Sequence, residues 1–534
     1  MDDQILFLNG EVITVNNNDD VVEAVAVKGG KITAAGSNGD ILALKNDASK
    51  VIDLEGKTLM PGFIDPHLHI SMYGTNTISI SCKSESVISL DDLMAKLREE
   101  VESTSRNHWI RAWGYNETLI EDRRFPTIEE LDEVSRDHPI IITRTCGHIS
   151  TVNSRALEIA GINDDTPDPD GGKIERDEEG KATGLLLENA HMEMFNIAAF
   201  SKEELSRAHE VASAHFSAKG ITSIHDAGGY GLSNINALQT DSKNGVIKQR
   251  VYVMVGALYD AQSVVKHMVA AGIYTGLGDP KFRIGPVKLF LDGSSSGPTV
   301  WSREGYTSDP ENHGIHYFSQ EEVDELFIPA HKNGWQITAH AQGDAAIDML
   351  LNTIEEANRV HPREEARHRI EHAGIAAPDL IRRMKEQNVI PIPNPAFLYE
   401  YGESYVKNYG ERADYMYPMG DYQRSGIPAA IASDSPVTDY DPMRGLHAAV
   451  TRESNAGNVI GEDKRVSLLE AIRMYTLNGA YASFEEDIKG SLEPGKVADL
   501  IILDRSIMNC DTEALPEVQV EYTMIDGEVV YSGS

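Results

Sequence analysis

The chain has 534 residues, of which 84 are acidic and 48 are basic, so that its formal net charge is −36. This length exceeds the size at which a single hydrophobic core usually stops growing, and we expect more than one domain. The acidic excess repels nucleic acid and anionic lipid surfaces, and therefore excludes both as partners.

The cysteines and the start of the chain indicate the compartment. The three cysteines, Cys82, Cys146 and Cys510, lie far apart without Cys-x-x-Cys spacing, which argues against a disulfide framework or a thiolate zinc site. Asp2 and Asp3 stand where a secretory signal would carry bases, and no apolar run approaches the roughly 18 residues of a membrane span. We expect a soluble, cytoplasmic protein without a membrane partner.

The two ends of the chain carry the same pattern of short hairpins. Asn9-Gly10 is a dipeptide that favours a two-residue turn, and the apolar run Ala498–Leu503 and the Asp-Gly hairpin Met524–Tyr531 repeat the pattern at the other end. Neither piece can bury much surface alone. We therefore expect residues 1–60 and 490–534 to pair into one small β-sandwich domain.

Residues 61–489 alternate β-rich runs with helical patterns, which is typical of βα units on a parallel sheet. Eight runs predict a TIM (β/α)8 barrel. They are Gly62–Asp65, Ile221–Ile224, Val251–Val255, Val287–Leu291, Gln336–Ala339, His368–Glu371, Val389–Ile392 and Ala429–Ala432. About residues 76–218 form an insertion, which we expect to be folded because Leu90, Leu93, Met94 and Leu97 show helical spacing.

Histidine and aspartate residues stand at the ends of four of these runs. His67 and His69 project to the same side of a strand, about 7 Å apart along the backbone, because side chains alternate between faces. A chance pair of histidines would look the same. However, three later strand ends carry His340, His372 and Asp434. Since TIM-barrel active sites lie at the carboxyl ends of the strands, the four together predict a catalytic metal site.

Imidazoles and a carboxylate suit zinc and neighbouring divalent metals, and a catalytic site keeps one coordination position open for water. We therefore expect a hydroxide nucleophile, with Asp434 carrying the proton to the leaving group. Lys288 shares a strand face with Phe290 and Asp292. It is either a structural lysine paired with an acid, or an uncharged amine that takes up carbon dioxide as a carbamate.

The order of these residues strongly resembles the amidohydrolase superfamily. The matching positions are the run Pro61–Asp65, His67, His69, Lys288, His340, His372 and Asp434. Residues 490–500 look like the return of that superfamily from its barrel to its small β domain. Residues 147–154, 183–188 and 340–344 resemble the branch that contains N-substituted formamide deformylases and YtcJ-like proteins.

The resemblance implies a metal-dependent hydrolase that cleaves a non-peptide carbon–nitrogen bond of a small molecule with one or two zinc ions. It places His67 and His69 on one metal, joined by Asp434. His340 and His372 would hold a second metal, with a carboxylated Lys288 as the bridge. Deamination of a ring carbon and hydrolysis of an ester or lactone remain open with the same ligands, as does a non-catalytic scaffold, which loss of ligands would mark.

The remaining candidates concern the substrate. In the insertion, His148, Trp113 and Tyr115 either contact substrate or are structural. The aromatic segment 397–422 either walls an apolar pocket or packs inside a loop or at a subunit interface. The loop Gly293–Pro298 is flexible in composition and could gate entry.

We expect a neutral, partly aromatic small amide as substrate, because the chain has no basic cluster that would clamp phosphate. Arg303 and Arg369 are the local exceptions that could form an anion site. His225 and Asp226, at the end of the second strand, are expected to pack behind the metal site. The sequence leaves a homodimer open.

Overall fold

The computed structural model describes residues 4–83, 86–229, 231–257 and 260–533, so that the acidic start of the chain lies outside the described part. The chain divides into two compact units. One comprises Met1–Ile70 with Ala212–Ser534, and the other comprises Ser71–Val211. The predicted insertion, about residues 76–218, overlaps the second unit.

Short strands and a helix occupy the first part of the chain. These elements are β1 (Gln4–Leu8), β2 (Glu11–Ile13), β3 (Val21–Val22), β4 (Ala24–Lys28), β5 (Lys31–Gly36), helix α1 (Asn38–Leu42), β6 (Lys50–Asp53), β7 (Thr58–Pro61) and β8 (Phe63–Leu68). The next elements are α2 (Ile70–Ile78), β9 (Ile80–Ser81), α3 (Leu90–Ser103), β10 (Ile110–Tyr115), α4 (Ile128–Val134), β11 (Ile140–Arg144), β12 (Ile149–Val152), α5 (Ser154–Ala160), β13 (Gly172–Arg176), β14 (Ala182–Glu188), α6 (Asn189–Ile197) and α7 (Lys202–Ala218).

Strands and helices then alternate. The elements are β15 (Ile221–Asp226), α8 (Gly231–Lys243), β16 (Arg250–Val255), α9 (Ala261–Ala270), β17 (Phe282–Phe290), α10 (Gln320–Lys332), β18 (Ile337–Ala341), α11 (Asp344–Val360), β19 (Arg369–His372), α12 (Pro378–Glu386), β20 (Ile390–Ile392), α13 (Pro395–Tyr409), α14 (Met419–Arg424), α15 (Pro442–Thr451), α16 (Leu468–Met474), α17 (Leu477–Ala482), β21 (Leu500–Leu503), β22 (Val520–Ile525) and β23 (Glu528–Ser532). Among the described residues, 3-10 helices span Gly410–Tyr415, Glu462–Lys464 and Thr512–Glu517.

The second unit is built on a six-stranded sheet in the order β13-β14-β12-β11-β10-β9. Helix α3 begins with a capping box in which Ser89 and Asp92 satisfy each other's backbone N–H groups. Its residues Leu90, Leu93, Met94 and Leu97 are buried in the core of this unit. The amphipathic helix predicted from their spacing is thus confirmed.

The larger unit contains a sheet of seven parallel strands in the order β20-β19-β18-β17-β16-β15-β8. These strands coincide with the first seven of the eight predicted runs, and every residue of β8, β15, β16 and β19 is buried. The sheet is a nearly closed barrel in which helices alternate with strands along the chain. Its carboxyl ends carry the predicted metal ligands.

The prediction of an eighth strand at Ala429–Ala432 is wrong. Ala430 N donates to Pro391 O at 3.2 Å, and Ala432 N donates to Pro393 O at 3.1 Å, as in a parallel pair. The returning bond would need an N–H at position 393, which proline lacks. These residues therefore lie beside β20 in an extended segment without a strand ladder.

The two chain ends contribute to one sheet, in the order β23-β22-β21-β7-β2-β3, where β7 pairs antiparallel with β21. A separate four-stranded sheet has the order β5-β4-β1-β6. Residues of both sheets, among them Phe7, Val25, Leu59 and Leu500, share one buried apolar cluster. In the described part of the chain, no helix has the length and apolar character needed to cross a membrane.

A buried ion pair attaches the chain end to the barrel sheet. Arg250, at the start of β16, donates from Nε to Asp499 Oδ2 at 2.6 Å and from Nη2 to Asp499 Oδ1 at 3.1 Å. Both side chains are buried. Asp526 contacts the same guanidinium from a more exposed position.

Asp499→Asn should lower the free energy of unfolding by about 3 kcal/mol, because removing one partner leaves a buried charge under-compensated. Thermal unfolding followed by circular dichroism measures the effect. The control is Asp504→Asn, which breaks a more exposed pair with Arg505 and should cost at most about 1 kcal/mol. Equal losses in the two variants would contradict a special role for the buried pair.

Candidate metal centre

The first three predicted ligands converge at the carboxyl end of β8. The rings of His67 and His69 lie 5.6 Å apart between centroids. Asp434 Oδ1 is 3.3 Å from His67 Nε2 and 3.4 Å from His69 Nε2. All three side chains are buried, and their ligand atoms lie within 4.8 Å of one another.

The other three predicted ligands lie against this group. The His372 ring is 4.7 Å from the His67 ring and 4.6 Å from the His340 ring. Lys288 Nζ is 3.2 Å from His67 Nε2. The structure therefore gathers all six residues in one cluster at this edge of the sheet, buried except for the partly exposed His340.

Glu371 orients His67 from behind. Its Oε2 lies 2.5 Å from His67 Nδ1. Its Oε1 accepts hydrogen bonds from Thr338 Oγ1 at 2.6 Å and from Arg369 Nε at 2.9 Å. Burial alone would raise the pKa of Glu371, but Arg369 and His67 hold it well below its usual range. The carboxylate therefore stays charged and keeps the proton of His67 on Nδ1, leaving Nε2 as a free lone pair.

The other three histidines are oriented in the same manner, each by an acceptor on one ring nitrogen. The pairs are His69 Nδ1 with Gly228 O at 2.5 Å, His372 Nδ1 with Asn394 Oδ1 at 2.8 Å, and His340 Nε2 with Gly293 O at 3.0 Å. Asn394 Nδ2 donates to Ala432 O at 3.0 Å, which fixes the side-chain oxygen toward the ring. In each neutral imidazole, this acceptor selects the tautomer that leaves the other ring nitrogen as a lone pair.

Burial shifts the pKa values of several residues in the cluster. It lowers the pKa of His340 to about 4 and the pKa of His372 well below the usual range, so both rings are neutral at pH 7. It also lowers the pKa of Lys288 to about 8, despite the nearby charges of Glu371 and Asp434. For Asp434, burial would raise the pKa, but the neighbouring His67 and His69 side chains hold it well below its usual range.

The cluster fits a divalent metal. His67 Nε2 and Asp434 Oδ1 are both acceptors in the tautomer that Glu371 imposes, yet they face each other at 3.3 Å. Two acceptors at this distance repel unless a cation or a proton lies between them. Neutral imidazole nitrogens and a carboxylate are the ligands that zinc and similar metals take in catalytic sites.

Three further aspartates fix the backbone around the ligands, and sequence reasoning gave them no such role. Asp65 accepts from His67 N and Ser433 N, both at 3.2 Å. Asp226 accepts from the backbone N–H groups of Ile70 and Gly228, and Asp292 from those of Trp301, Gln342 and Gly343. Burial raises the pKa of Asp65 and of Asp292 to about 7 and that of Asp226 to about 6.

The backbone is strained at two ligands. His372 has φ 71° and Asp434 has φ 61°, a region that residues other than glycine rarely adopt. Such conformations cost about 1–3 kcal/mol each and persist where surrounding contacts impose them, often at functional sites. At Asp434 one such contact is the hydrogen bond from its N–H to His67 O at 2.8 Å.

Neither arginine considered as an anion site is free to serve as one. Arg369 is fully enclosed, where it binds Glu371, the carbonyl of Pro66 and His225 Nδ1. Arg303 is paired with Asp348 and Asp379. His225 and Asp226 are both buried, His225 against Arg369 and Asp226 against the backbone next to His69.

The aromatic segment 397–422 is mainly a packed layer rather than an open wall. Phe397, Tyr405, Tyr409 and Tyr417 are buried in one cluster formed by α13 and the chain that follows it. Phe397 meets the His372 ring edge-on at 6.0 Å. The segment therefore supports the ligand cluster from one side.

The loop Gly293–Pro298 is anchored rather than free. Ser295 is buried, and its Oγ lies 2.9 Å from Tyr405 OH, while its carbonyl accepts a hydrogen bond from Tyr409 OH at 2.9 Å. The gate expected from the composition of this loop finds no support in these contacts.

The three candidate substrate contacts of the insertion lie in the second unit. Tyr115 is enclosed in its core and donates a hydrogen bond to Arg124 O at 2.5 Å. His148 is exposed, and its Nδ1 lies 3.1 Å from Glu188 Oε2. Trp113 lies in β10, where the amine of Lys83 is above its ring, 5.7 Å from the centroid. A role of Trp113, Tyr115 and His148 in substrate binding stays a prediction.

Known proteins resemble this chain over nearly its whole length. An N-substituted formamide deformylase from Arthrobacter pascens is 29% identical over 99% of this chain and 98% of its own length. The putative amidohydrolase YtcJ of Bacillus subtilis (strain 168) is 28% identical over 98% of this chain and 99% of its own. The crystal structure of an uncharacterized metal-dependent hydrolase from Pyrococcus horikoshii OT3 superposes with a TM-score of 0.79 and 25% identity, covering 96% of this chain and 99% of that one.

The sequence profile of the amidohydrolase family matches residues 50–531, nearly the whole chain. The resemblance seen in the sequence is confirmed. The chain therefore belongs to the amidohydrolase family and is a hydrolase of carbon–nitrogen bonds other than peptide bonds.

Proposed function

We propose that the protein is a zinc-dependent enzyme that hydrolyses an N-substituted formamide or a closely related small, neutral amide. The observation that carries this proposal is the convergence of four oriented imidazoles, Asp434 and Lys288 in one buried cluster. The full-length similarity to an N-substituted formamide deformylase supports the substrate class. The enclosure of Arg369 argues against a substrate anion at that side chain.

The ligands assigned to zinc are His67, His69, Lys288, His340, His372 and Asp434. A divalent cation held by them supplies Lewis acidity, which lowers the pKa of water and polarises a carbonyl. Asp434 is charged at pH 7 and accepts the proton of the attacking water. As the new carbon–oxygen bond forms and the carbon–nitrogen bond breaks, Asp434 returns this proton to the nitrogen. The products from a formamide are formate and an amine.

Lys288 is assigned as a carboxylated bridge between two metals. Its low pKa makes the neutral amine accessible near pH 8. The neutral lysine amine adds to carbon dioxide and loses a proton, which gives a carbamate. The carbamate is an anionic oxygen ligand, whereas the protonated lysine is a buried cation. The contact of Lys288 Nζ with His67 Nε2, at 3.2 Å, supports this assignment.

We also infer that residues 429–434 stand in for the eighth strand of a (β/α)8 barrel within residues 61–489. The sheets of the chain ends then form a small β-sandwich domain of residues 1–60 and 490–534. The partner is a small molecule rather than nucleic acid or a membrane. The compartment that we infer is the cytoplasm, and a homodimer is compatible with this assignment.

Glu371→Gln should weaken metal binding by about 10- to 100-fold, because the neutral amide no longer holds His67 in its ligand tautomer. Metal titration of the chelator-treated protein measures this. Thr338→Val is the matched control, since it removes one hydrogen bond to the same carboxylate and leaves its charge. If Glu371→Gln bound metal like the wild type, Glu371 would not orient a metal ligand.

Asp434→Asn should reduce turnover of N-benzylformamide by about 10²- to 10⁴-fold, because the amide cannot carry the proton. Formate release by the metal-loaded protein is the measurement. Esters, lactones, aminopurines and phosphorylated amides complete the substrate panel. Near-normal turnover in the variant would move the proton-carrying role elsewhere, and a wild-type preference for the other substrates would overturn the proposed substrate class.

A further inference from the structure

Gln342 follows β18 and lies two residues after His340, so strand alternation places it on the side of the sheet that carries this ligand. Its backbone is held at both ends, because its N–H donates to Asp292 Oδ1 at 3.0 Å and its carbonyl accepts from Ile375 N at 2.7 Å. Only 2% of the residue is exposed. The position of the side chain is therefore well determined by its surroundings.

The side-chain oxygen of Gln342 lies over a glycine of the neighbouring strand end. A Cβ atom at Gly374 would lie 2.4 Å from Gln342 Oε1, a distance too short for any side chain. Gly374 is two residues past His372. The carboxamide thus lies beside the strand ends that carry His340 and His372.

A chain of buried hydroxyl groups fixes the orientation of this carboxamide. Ser295 Oγ lies 2.9 Å from Tyr405 OH and 3.2 Å from Tyr417 OH. Tyr417 OH donates to Gln342 Oε1 at 3.0 Å. Burial raises the pKa of Tyr417 to about 12, so this hydroxyl keeps its proton at pH 7. The oxygen of Gln342 therefore faces Tyr417, and its amide nitrogen faces away.

Within the part of the chain that the structure describes, Gln342 Nε2 donates to no acceptor. This nitrogen is not fully enclosed by protein atoms either, so it borders open space. A buried residue that presents an unused donor is unusual in a folded protein. The Tyr417 ring stacks on Phe397, which itself meets the His372 ring. The unused donor thus belongs to the surroundings of the ligand cluster.

We propose that Gln342 Nε2 donates a hydrogen bond to the carbonyl oxygen of the scissile amide, and that Tyr417 is a positioning residue for this donor. This inference rests on the proposed function, because it assumes a carbonyl substrate at the ligand cluster. The bond strengthens as negative charge develops on the oxygen, so it favours the transition state over the ground state. Loss of one such donor lowers kcat by about 10²- to 10³-fold in well-studied hydrolases.

The test compares Gln342→Met, Tyr417→Phe and the double variant with N-benzylformamide as substrate. Gln342→Met should lower kcat by about 10²-fold with unchanged metal content and thermal midpoint, because it removes the donor but keeps the length of the side chain. Tyr417→Phe should lower kcat less, by about 10-fold. The double variant should be no worse than Gln342→Met, since the hydroxyl acts only through the amide.

Gln320→Met is the matched control, because the Gln320 amide binds Asp324 and Thr353 on α10 and α11 and should leave kcat unchanged. Wild-type kcat in Gln342→Met, or additive losses in the double variant, would overturn the inference. A lower thermal midpoint without a change in kcat would assign Gln342 to packing alone.

A second measurement separates this inference from the proposed function. The infrared carbonyl stretch of bound N-benzylacetamide reports hydrogen bonding without turnover, and it should shift to higher frequency in Gln342→Met. If the stretch differs between the wild type and Gln342→Met but the wild type hydrolyses no formamide, the substrate assignment fails and the role of Gln342 stands. If formamides are hydrolysed and the stretch is the same in both proteins, the role of Gln342 fails alone.

Discussion

The ion pair between the buried Glu371 carboxylate and Arg369 is the interaction on which the site depends. A fully enclosed charge is costly unless it is paired and hydrogen-bonded, and Glu371 meets both conditions through Arg369, Thr338 and His67. The carboxylate in turn fixes the proton of His67. One lone pair is thereby aimed at Asp434, and the two acceptors can coexist only with a cation or a proton between them.

Backbone hydrogen bonds connect the last part of the barrel sheet to the predicted metal ligands. Pro393 lacks the N–H that an eighth strand ladder would need. Residues 429–434 instead donate hydrogen bonds to Pro391 O and Pro393 O on one side and to His67 O on the other. Asp65 binds the backbone on both sides of this junction. The strained residue Asp434 is therefore positioned by a segment that contacts both edge strands of the barrel sheet.

The sequence predicted the parallel strands, and that His67 and His69 lie close together, because both follow from simple periodic rules. It did not reveal the groups that orient the ligands. Gly228 and Gly293 act through backbone carbonyls, which leave no trace in residue type. Glu371 lies in the strand Arg369–His372 together with other polar residues, so its residue type alone did not mark its role. The prediction of an eighth strand failed for a related reason. The missing N–H is that of Pro393, on the neighbouring segment, and not one within Ala429–Ala432.

A metal held by His67, His69 and Asp434 can be located by anomalous scattering from crystals of the metal-loaded protein, measured at the absorption edge of zinc. We expect the strongest anomalous peak within coordination distance, about 2.0–2.2 Å, of the Nε2 atoms of His67 and His69 and a carboxylate oxygen of Asp434. A peak only at the separate group His447, Glu453 and Glu513, or no peak in fully loaded protein, would contradict this expectation.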